Sequence, residues 1–562
     1  MISEILLGCA LAYTVWSIAC LEANVRKARD LKVPIVRLPI DANNVFWILL
    51  QPHVWKILDR LPFNWSSYPR FVRFSRRGWY FAERADAHVQ LGPVWALVSP
   101  MAINVHFADP DTIRDIVTRR GDFQRPTKEL KLLELYGPCI STAKWDDWPR
   151  HRKVMATPFN ETIMKFVWEE SVRQAKGMVH SWTGAAGIPS YQKDTRTLSL
   201  NVLAAAGFRK SYDFRGSAEP AMDEVGSYRD SLQTVLDNII LLLLVPFRFL
   251  RMMPESWARI GNAGIAFKQH MVKMLDDETT ALKRGEPGSG GIMSLFVRAA
   301  DMHHVDSATA SNLKATKKGL SVDEIFGNLF VINFAGHDTT ANTLAFGMLL
   351  LAAHPDVQEW LAEEIAFATR GGPVETYEYK DLFPQLKRCR AVLYEILRLY
   401  PPVPALPSIT SNQMQTLHVG EQTLNIPEGT NLTVNLRAMQ VHPQYWPNGA
   451  AWQPSRWISN PAPASPSAEQ MANEQLLVLS KHIFFPWGEG PQICPGKKFA
   501  EVEAVAVLAY LLKAHRVLVK KNAGENSDAV AKRVDHCLND VDLEMLVRLR
   551  DADQVTLICK EA

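Results

Sequence analysis

The stretch that decides the fold is PWGEGPQICPGKK, Pro486 to Lys498, which sets a single cysteine among glycines and prolines. Cys494 stands before a run, KKFAEVEAVAVLAYLLK, that has the pattern of an amphipathic helix. We therefore place Cys494 at the N-cap of that helix, with Pro495 at the first helical position. Unpaired N–H groups and the positive end of the helix dipole favour a thiolate there, so the sequence predicts a metal-binding cysteine.

The composition is that of a globular chain. Hydrophobic residues form 47% and charged residues 22% of the 562 residues, which argues against disorder and against a multi-span membrane protein. The net charge of +3, without a long basic run, excludes a nucleic-acid groove. The seven cysteines form no CxxC pair and no cluster at zinc spacing. A lone sulfur suits an axial ligand of haem iron, because the porphyrin supplies four nitrogens itself.

The amino terminus is typical of a single membrane anchor. Ile5 to Leu21 carries no charge over 17 residues, and as a helix it reaches about 26 Å, close to a bilayer core of roughly 27 Å. Glu4 precedes the stretch and basic residues follow it, which predicts a cytosolic body. A cleaved signal peptide or a buried core helix is the alternative. We divide the chain into an anchor (1–22), a linker and membrane-proximal segment (23–60) and one large domain (61–562).

Helical periodicity dominates the large domain, so we expect a mainly α fold with small β-sheets. Strand patterns are confined to short stretches such as residues 93–99 and 429–438, whereas residues 283–291 and 460–470 look like surface loops. A second apolar run, residues 238–250, is too short to span a bilayer. It either packs in the core or rests on the membrane near a substrate entrance.

The longest predicted helix carries polar residues at its centre. It begins at Ser321, which forms a capping box with Glu324, and it ends at His354 after roughly 50 Å. The stretch FAGHDTTANT, residues 334–343, sets an acid and two threonines in this otherwise apolar helix. Such groups are unfavourable there without partners, and a threonine that bonds the carbonyl four residues back loosens the helix. We expect a groove lined with hydrogen-bonding groups; a polar packing contact is the alternative.

The cysteine stretch resembles the haem-binding loop of the cytochrome P-450 monooxygenases. That loop has an aromatic residue, a glycine, the cysteine and a second glycine at fixed spacing, and here these are Trp487, Gly490, Cys494 and Gly496. The family usually has phenylalanine at the position of Trp487. The resemblance implies the cytochrome P-450 fold and haem b as the cofactor, with Cys494 as the iron ligand. An inert buried cysteine beside a helix cap is the alternative.

The mid-helix stretch is similar to the family's oxygen-binding motif. Ala335, Gly336, Asp338 and Thr339 fall on the positions of that motif. The resemblance implies that glycine gives room for oxygen beside the haem. It also implies that Asp338 and Thr339 are the catalytic residues, because they relay the protons that splitting dioxygen requires.

A buried structural network is implied by two further stretches. YEILRLYPPVP places Glu395 and Arg398 on one helix face, and WQPSRW supplies Arg456. Together they resemble the family's Glu-Arg-Arg network, which holds the core behind the cysteine loop. A surface salt bridge of little worth is the alternative for the helical pair.

The stretch WPRHRK places Trp148 and Arg152 one helical turn apart, as in the family's helix that binds a haem propionate. An exposed basic helix is the alternative. In the family, arginines that also meet a propionate stand where this chain has Gln492 and Ser408. Either other basic groups substitute for them, or Trp148 and Arg152 carry more of the haem anchoring than usual.

The resemblance implies a single-pass enzyme of the endoplasmic reticulum membrane with a cytosolic monooxygenase domain. It would insert one atom of O2 into a small apolar organic substrate and reduce the other to water. Electrons would come from a separate NADPH-dependent flavoprotein reductase, sometimes with cytochrome b5. The tryptophan variant and the CPGKKF continuation look most like fungal members, which favours secondary metabolism. A haem-thiolate isomerase or dehydratase, and a non-catalytic haem-binding sensor or lipid carrier, are the alternatives.

Two sets of residues carry weaker expectations. Four basic residues are expected to flank the cysteine side and to steer an acidic partner: Arg150, Lys153, Lys497 and Lys498. Solvated surface charge is the alternative for that set. Three residues upstream of the oxygen motif are expected to face the substrate pocket: Phe330, Asn333 and Phe334.

Overall fold

Helices form most of the structure, as the periodicity predicts. The computed structural model describes residues 2–41, 44–184, 186–209, 211–215, 228–299, 319–462, 467–477, 482–543 and 546–562. The helices are α1 (Ile2–Arg29), α2 (Val45–Leu58), α3 (Arg70–Arg73), α4 (Trp79–Glu83), α5 (Asp86–Leu91), α6 (Pro110–Thr118), α7 (Thr127–Leu130), α8 (Trp148–Ala156), α9 (Glu161–Trp182), α10 (Tyr191–Phe208), α11 (Tyr228–Asp237), α12 (Ile239–Leu244), α13 (Phe247–Leu250), α14 (Glu255–Lys283), α15 (292–299), α16 (Val322–Ala353), α17 (Pro355–Ala368), α18 (Tyr379–Leu382), α19 (Lys387–Leu399), α20 (Leu436–Val441), α21 (Ala468–Asn473), α22 (Lys497–Ala514) and α23 (Ser527–Asn539).

The strands are short, and most lie in one mixed sheet. They are β1 (Ile35–Arg37), β2 (Val94–Val98), β3 (Ile103–Phe107), β4 (Phe123–Gln124), β5 (Leu406–Thr410), β6 (Gln415–Val419), β7 (Gln422–Ile426), β8 (Asn431–Val434), β9 (Ile458–Ser459), β10 (Gln475–Leu476), β11 (His515–Val519), β12 (Val541–Asp542), β13 (Arg548–Leu549) and β14 (Leu557–Glu561). The six-stranded sheet has the order β1-β2-β3-β8-β5-β4, and the other described strands pair two by two. The prediction of a mainly α fold with small sheets is confirmed.

The antiparallel pair β4–β5 positions residues that matter for the site. Its register sets Phe123 opposite Thr410 and Gln124 opposite Ile409. The same register, continued by one residue, brings Arg125 opposite Ser408. Arg125 therefore lies opposite Ser408, which is one of the two positions at which the resemblance led us to expect an arginine.

The longest helix, α16, is the axis of the helical core. Ser321 is its N-cap, and both hydrogen bonds of the predicted capping box with Glu324 form. The helix ends at Ala353 with His354 as its C-cap, so its predicted bounds are confirmed. It packs against α10 and α22, and α9 packs against both of those helices. Because α22 follows Cys494 directly, this packing ties the cysteine loop to the polar centre of α16.

One local prediction needs correction, and a second segment is now defined. Residues 429–438 were expected as one strand, but β8 ends at Val434 and α20 begins at Leu436, because the Asn435 side chain caps the helix by accepting from the Ala438 N–H. Residues 238–250 form two short helices, since Pro246 interrupts the run. Within that run Ile239, Leu242 and Leu250 are buried, while Leu244 and Phe249 are exposed. Part of the predicted loop 460–470, namely residues 463–466, lies outside the described residues.

The N-terminal helix is continuous with the body of the protein. Among the described residues, one helical stretch, Leu7–Arg29, is long and apolar enough to cross a membrane. Near the C-terminal end of this stretch, Val25 and Ala28 are buried against the first strands of the sheet, and the Asn24 side chain donates to the Ser99 carbonyl oxygen at 3.0 Å. The predicted linker segment therefore contains the end of α1, β1 and α2.

Candidate active site

The loop before α22 folds back on itself around Cys494. Gly496, not Cys494, is the N-cap of α22, because Pro495 and Gly496 form a turn ahead of the first helical residue, Lys497. The predicted N-cap position is therefore wrong by two residues. The Cys494 N–H donates to the Trp487 carbonyl oxygen at 2.9 Å, which closes the loop.

The environment of the sulfur disfavours a free thiolate. Burial raises the pKa of the Cys494 thiol, while the N–H groups of Gly496 and Lys497 and the guanidinium groups of Arg152 and Arg125 oppose this rise. Cys494 nevertheless keeps exposed surface although protein crowds its sulfur, and we call this partly enclosed space the cysteine recess. The helix end alone does not produce the predicted thiolate. A cation bound to the sulfur would do so, because a metal ion deprotonates a coordinating thiol.

The structure requires the first glycine of the motif more strictly than the second. Gly490 has a φ of +74°, and a Cβ there would lie 2.7 Å from the Val117 carbonyl oxygen. A Cβ at Gly496 would lie 3.8 Å from the Cys494 sulfur, so a longer side chain would crowd the sulfur. The Trp487 ring packs edge-on against Tyr394, with centroids 6.0 Å apart.

A polar face opens at the centre of α16. Ala335 is exposed and Asp338 and Thr339 are half-buried, although the helix is buried on both sides of this stretch. These positions, i, i+3 and i+4, share one helix face. The Thr339 hydroxyl donates to the Ala335 carbonyl oxygen at 2.7 Å, as predicted, while the helix stays regular. Gly336 lies against α10, since a Cβ there would be 3.3 Å from Leu203.

The Asp338 carboxylate has a cationic partner that the sequence did not indicate. Arg196 on α10 approaches it at 3.1 Å and also pairs with Asp237 at 2.9 Å. The His337 ring lies 3.2 Å from the same carboxylate, and burial is the main reason that its pKa is lowered. The Asp338 contact has ion-pair distance without hydrogen-bond geometry. The carboxylate can therefore rotate without breaking a hydrogen bond.

The residues predicted to face the substrate pocket are mostly packed away. Phe330 is fully buried, with its ring 5.2 Å from that of Tyr136. Asn333 is buried as well, and its side chain donates to the Leu329 carbonyl oxygen. Phe334 alone of these three keeps partial exposure.

The expected Glu-Arg-Arg network is present and buried. Both oxygens of Glu395 accept from Arg398 at 2.8 Å, and Arg456 approaches the same carboxylate at 3.1 Å. The Trp457 indole N–H donates to it at 2.9 Å, and the Gln453 backbone N–H at 2.8 Å. Glu395 and Arg398 have no exposed side-chain surface, so the alternative of a surface salt bridge is excluded.

Three arginines gather near Cys494: Arg120, Arg125 and Arg152. Arg152 and Arg125 both lie close enough to influence the thiol, and Arg125 in turn repels Arg120. The Arg120 guanidinium donates to Ser408 Oγ at 3.2 Å, and its Nε is buried without a partner. Burial, reinforced by this repulsion, lowers the pKa of Arg120 to about 10. Among the described residues, no carboxylate pairs with any of the three.

This arrangement fits a group that carries carboxylates and a metal ion. Buried cations are unfavourable unless an anion compensates them. The Trp148 indole N–H, one turn from Arg152 on α8, is also buried and has no hydrogen-bond partner in the described part of the chain. Haem has two propionates and an iron atom, which match these donors and the nearby sulfur. The sequence alone did not indicate Arg120 or Arg125. Their place near the site depends on the pairing of β4 with β5, which only the fold shows.

Of the four basic residues expected to steer a partner, Arg150 serves a different purpose. Its guanidinium bridges Asp147 at 2.7 Å and Glu324 at 2.9 Å. These bonds lower the pKa of Glu324 to about 2. His151 joins the same cluster, whose ligand atoms lie close enough together for a metal ion, but the Arg150 side chain already neutralises the two acids. The cluster therefore ties α8 to the start of α16.

The remaining three basic residues differ in their exposure. Lys153 and Lys497 are exposed, whereas Lys498 is half-buried with its ammonium 4.1 Å from the Phe383 ring centroid. The surface before α22 thus keeps two freely exposed lysines. Steering of an acidic partner stays a prediction for these two.

Known proteins resemble this chain over most of its length. The family model described as Cytochrome P450 matches residues 71–532. A cytochrome P450 monooxygenase of Arthrobotrys oligospora is 28% identical over 90% of this chain and 89% of its own length. A phomenoic acid biosynthesis cluster cytochrome P450 monooxygenase of Leptosphaeria maculans is 27% identical over 93% of both chains. One from Postia placenta is 30% identical over 76% of this chain and 78% of its own.

Proposed function

The chain belongs to the cytochrome P450 family of haem-binding monooxygenases, and from that premise we propose that it is anchored in the endoplasmic reticulum membrane and oxidises a small apolar organic substrate of secondary metabolism. It uses O2 and electrons from an NADPH-dependent flavoprotein reductase. The exposed apolar half of α1 supports the anchor, since the candidate span is almost entirely unburied. The biosynthetic-cluster relative of Leptosphaeria maculans supports the metabolic assignment.

Cys494 is proposed as the axial ligand of the haem iron. The residue keeps exposed surface in the cysteine recess, and Gly496 leaves the space beside the sulfur free of a side chain. When bound, haem supplies the activation of dioxygen, for which a thiolate ligand pushes electron density toward O–O cleavage. Trp487 and Gly490 hold the loop in shape, the first through its carbonyl and the second through its left-handed backbone.

Arg120, Arg125 and Arg152 are proposed to bind the propionates, together with the indole N–H of Trp148. They replace the cations expected at Gln492 and Ser408. Support comes from the Arg120–Ser408 contact, from the buried and partnerless Arg120 Nε, and from the influence of Arg125 and Arg152 on the Cys494 thiol. Charged donors bind carboxylates about twice as strongly as neutral ones do.

Asp338 and Thr339 are proposed to deliver protons from solvent to the oxygen site. Thr339 Oγ donates to the helix carbonyl of Ala335, so its lone pairs can accept a proton donor from the groove. Asp338 lies on the same face beside Arg196, and its carboxylate can exchange a proton with bulk water. Rotation of that carboxylate between Arg196 and the groove would carry the proton inward. Ala335 and Gly336 leave this part of the helix without large side chains.

The observation that carries the proposal is the cysteine recess with its unpaired cations beside it. The test uses membranes that contain the full chain and an NADPH-dependent reductase, a panel of apolar compounds and ¹⁸O₂. We expect NADPH consumption that depends on one compound and a product that carries one ¹⁸O atom. Turnover without NADPH would instead favour the isomerase, and haem binding without NADPH consumption on any compound would favour the sensor.

A further inference from the structure

A cavity separate from the candidate active site opens beside the six-stranded sheet. Its volume is about 440 Å³, and it is partly open to the surface. The end of α5, the start of α6, the turn between β6 and β7 and the segment after α20 line it. In the described part of the chain, none of the lining residues belongs to α16 or to the cysteine loop. Cavities of about 300–1,000 Å³ hold small organic ligands.

His88 brings an unused hydrogen-bond acceptor to this cavity. The residue lines the cavity and is only 2% exposed. Its Nδ1 lies 3.2 Å from the Gly92 carbonyl oxygen, which can only accept, so Nδ1 carries the proton and Nε2 keeps a lone pair. Nε2 is buried, and no described residue donates to it. Burial lowers the pKa of His88 to about 4, so the ring is neutral near neutral pH.

The unused hydrogen-bonding groups continue into the sheet behind His88. The rings of Trp95 on β2 and His106 on β3 stack with centroids 4.4 Å apart, and the Trp95 ring lies 5.8 Å from that of His88. The Trp95 indole N–H and both ring nitrogens of His106 are buried, and none has a hydrogen-bond partner among the described residues. His106 shares a face of the sheet with Ala108, which lines the cavity. Buried polar groups without partners are unfavourable, so a molecule that completes them would be stabilised here.

The opposite wall sets the charge that such a molecule can carry. The Gln444 N–H donates to His442 Nδ1 at 3.2 Å, so His442 Nε2 carries a proton and can donate. Both donors of Thr112 bond the Asp109 carboxylate, which leaves it less able to bind an ammonium group. No lysine or arginine lines the cavity in the described part of the chain, so an anionic ligand would have no counter-charge. The wall therefore favours a neutral molecule.

We propose that this cavity binds a neutral apolar molecule that carries a hydroxyl group. The hydroxyl donates to His88 Nε2, and its oxygen accepts from a donor of the cavity such as His442 Nε2–H. The apolar body lies against the side chains of Val89, Val419 and Pro443, which line the same space. The inference does not depend on the proposed substrate. If the proposed function holds, a hydroxylated product of the enzyme belongs to the same class of ligand.

The test uses the haem-containing full chain in nanodiscs and an analogue of farnesol, an acyclic terpene alcohol, with a diazirine in its chain. Illumination attaches the analogue to the residues nearest to it, and mass spectrometry of the peptides locates it. Farnesol competes with the analogue, and its methyl ether, which cannot donate a hydrogen bond, is the matched competitor. Val89→Trp fills the cavity from its rim, since Val89 is 54% exposed. Val272→Trp, at a valine 48% exposed on α14, is the control variant.

We expect label on the peptide that contains residues 442–445, and we expect this label to disappear in Val89→Trp but not in Val272→Trp. Farnesol should compete at a concentration roughly three- to ten-fold lower than its methyl ether, as the loss of one hydrogen bond requires. In His88→Phe the two competitors should act equally.

No label at residues 442–445, or label there that survives Val89→Trp, would overturn the site and leave the cavity to water. Equal competition by the ether in wild type would overturn the role of the hydroxyl. If His88→Phe fails to retain haem, the two valine variants and the two competitors still decide. Label on α16 reports the haem pocket and is read separately, so a failure of the proposed function produces none of these outcomes.

Discussion

Replacing Arg125 by glutamine should weaken haem binding while it leaves the haem-free protein at least as stable. Arg125 repels Arg120 and has no acidic partner among the described residues, so its charge destabilises the folded protein until an anion binds beside it. Removing it relieves that repulsion in the haem-free protein. In the haem protein the same change removes a charged donor from a propionate. The two states should therefore respond in opposite directions.

The magnitude follows from the kind of contact that is lost. A hydrogen bond between a charged donor and a carboxylate contributes about 1.5–3 kcal/mol. At 1.4 kcal/mol for each factor of ten, this corresponds to a loss of about 10- to 150-fold in haem affinity. The lysine variant of Arg125 keeps the charge but not the planar fork, so it should fall between glutamine and wild type.

The assay is the rate of haem transfer to an excess of an apoprotein acceptor, with thermal unfolding of the haem-free protein measured in parallel. Arg119→Gln is the matched control, because Arg119 is the neighbour of Arg120 yet pairs with Asp115 and Asp122 at 2.9 Å each. Haem loss from Arg125→Gln no faster than from Arg119→Gln would refute the reasoning. So would a haem-free Arg125→Gln protein that unfolds at a clearly lower temperature than wild type.

Three further outcomes are expected. Glu395→Gln breaks a fully buried ion pair and should lower the free energy of unfolding by about 3–5 kcal/mol in denaturant titrations. The control is Glu359→Gln, at the more exposed pair with Arg516, which should lower it by at most about 1 kcal/mol. Equal losses in the two variants would contradict the buried network. Burial raises the pKa of Glu503 to about 8, so the unfolded chain releases this proton at a lower pH than the folded chain does, and the folded state loses stability as pH rises from about 4.5 to 8. The melting temperature of Glu503→Gln should therefore exceed that of wild type at pH 8 and match it at pH 4.5. A difference in melting temperature that does not depend on pH would contradict this prediction. Asp338→Asn and Thr339→Ala should keep NADPH consumption but release more peroxide per product formed, and an unchanged product-to-NADPH ratio would remove them from the proton path.

The elements that could be predicted from the sequence depend on local signals. The bounds of α16 follow from a capping box and a terminal His-Pro pair, all within a few residues of the helix ends. The cysteine loop is likewise a contiguous motif. The Glu395 network could be named because its members stand in two recognisable stretches, but its burial could not, since burial depends on Trp457 and on carbonyls brought from elsewhere.

The parts that could not be predicted depend on the register and on the phase of packed elements. Arg125 reaches the site because β4 pairs with β5, two strands separated by about half of the chain. Arg196 finds Asp338 because α10 packs against α16. The sequence suggests that Arg150 is a surface charge, but in the structure Glu324 at the start of α16 neutralises it. The pKa of the Cys494 thiol depends on its burial, and burial cannot be inferred from a sequence motif.

The central claim is that Cys494 ligates the haem iron, and the most direct test is the carbon monoxide difference spectrum of reduced membranes that contain the full chain, beside the same spectrum for Cys494→Ser. The account predicts a strongly red-shifted band of the thiolate type in wild type and its loss in Cys494→Ser. A band of the imidazole type in wild type, or a red-shifted band that survives in Cys494→Ser, would contradict it.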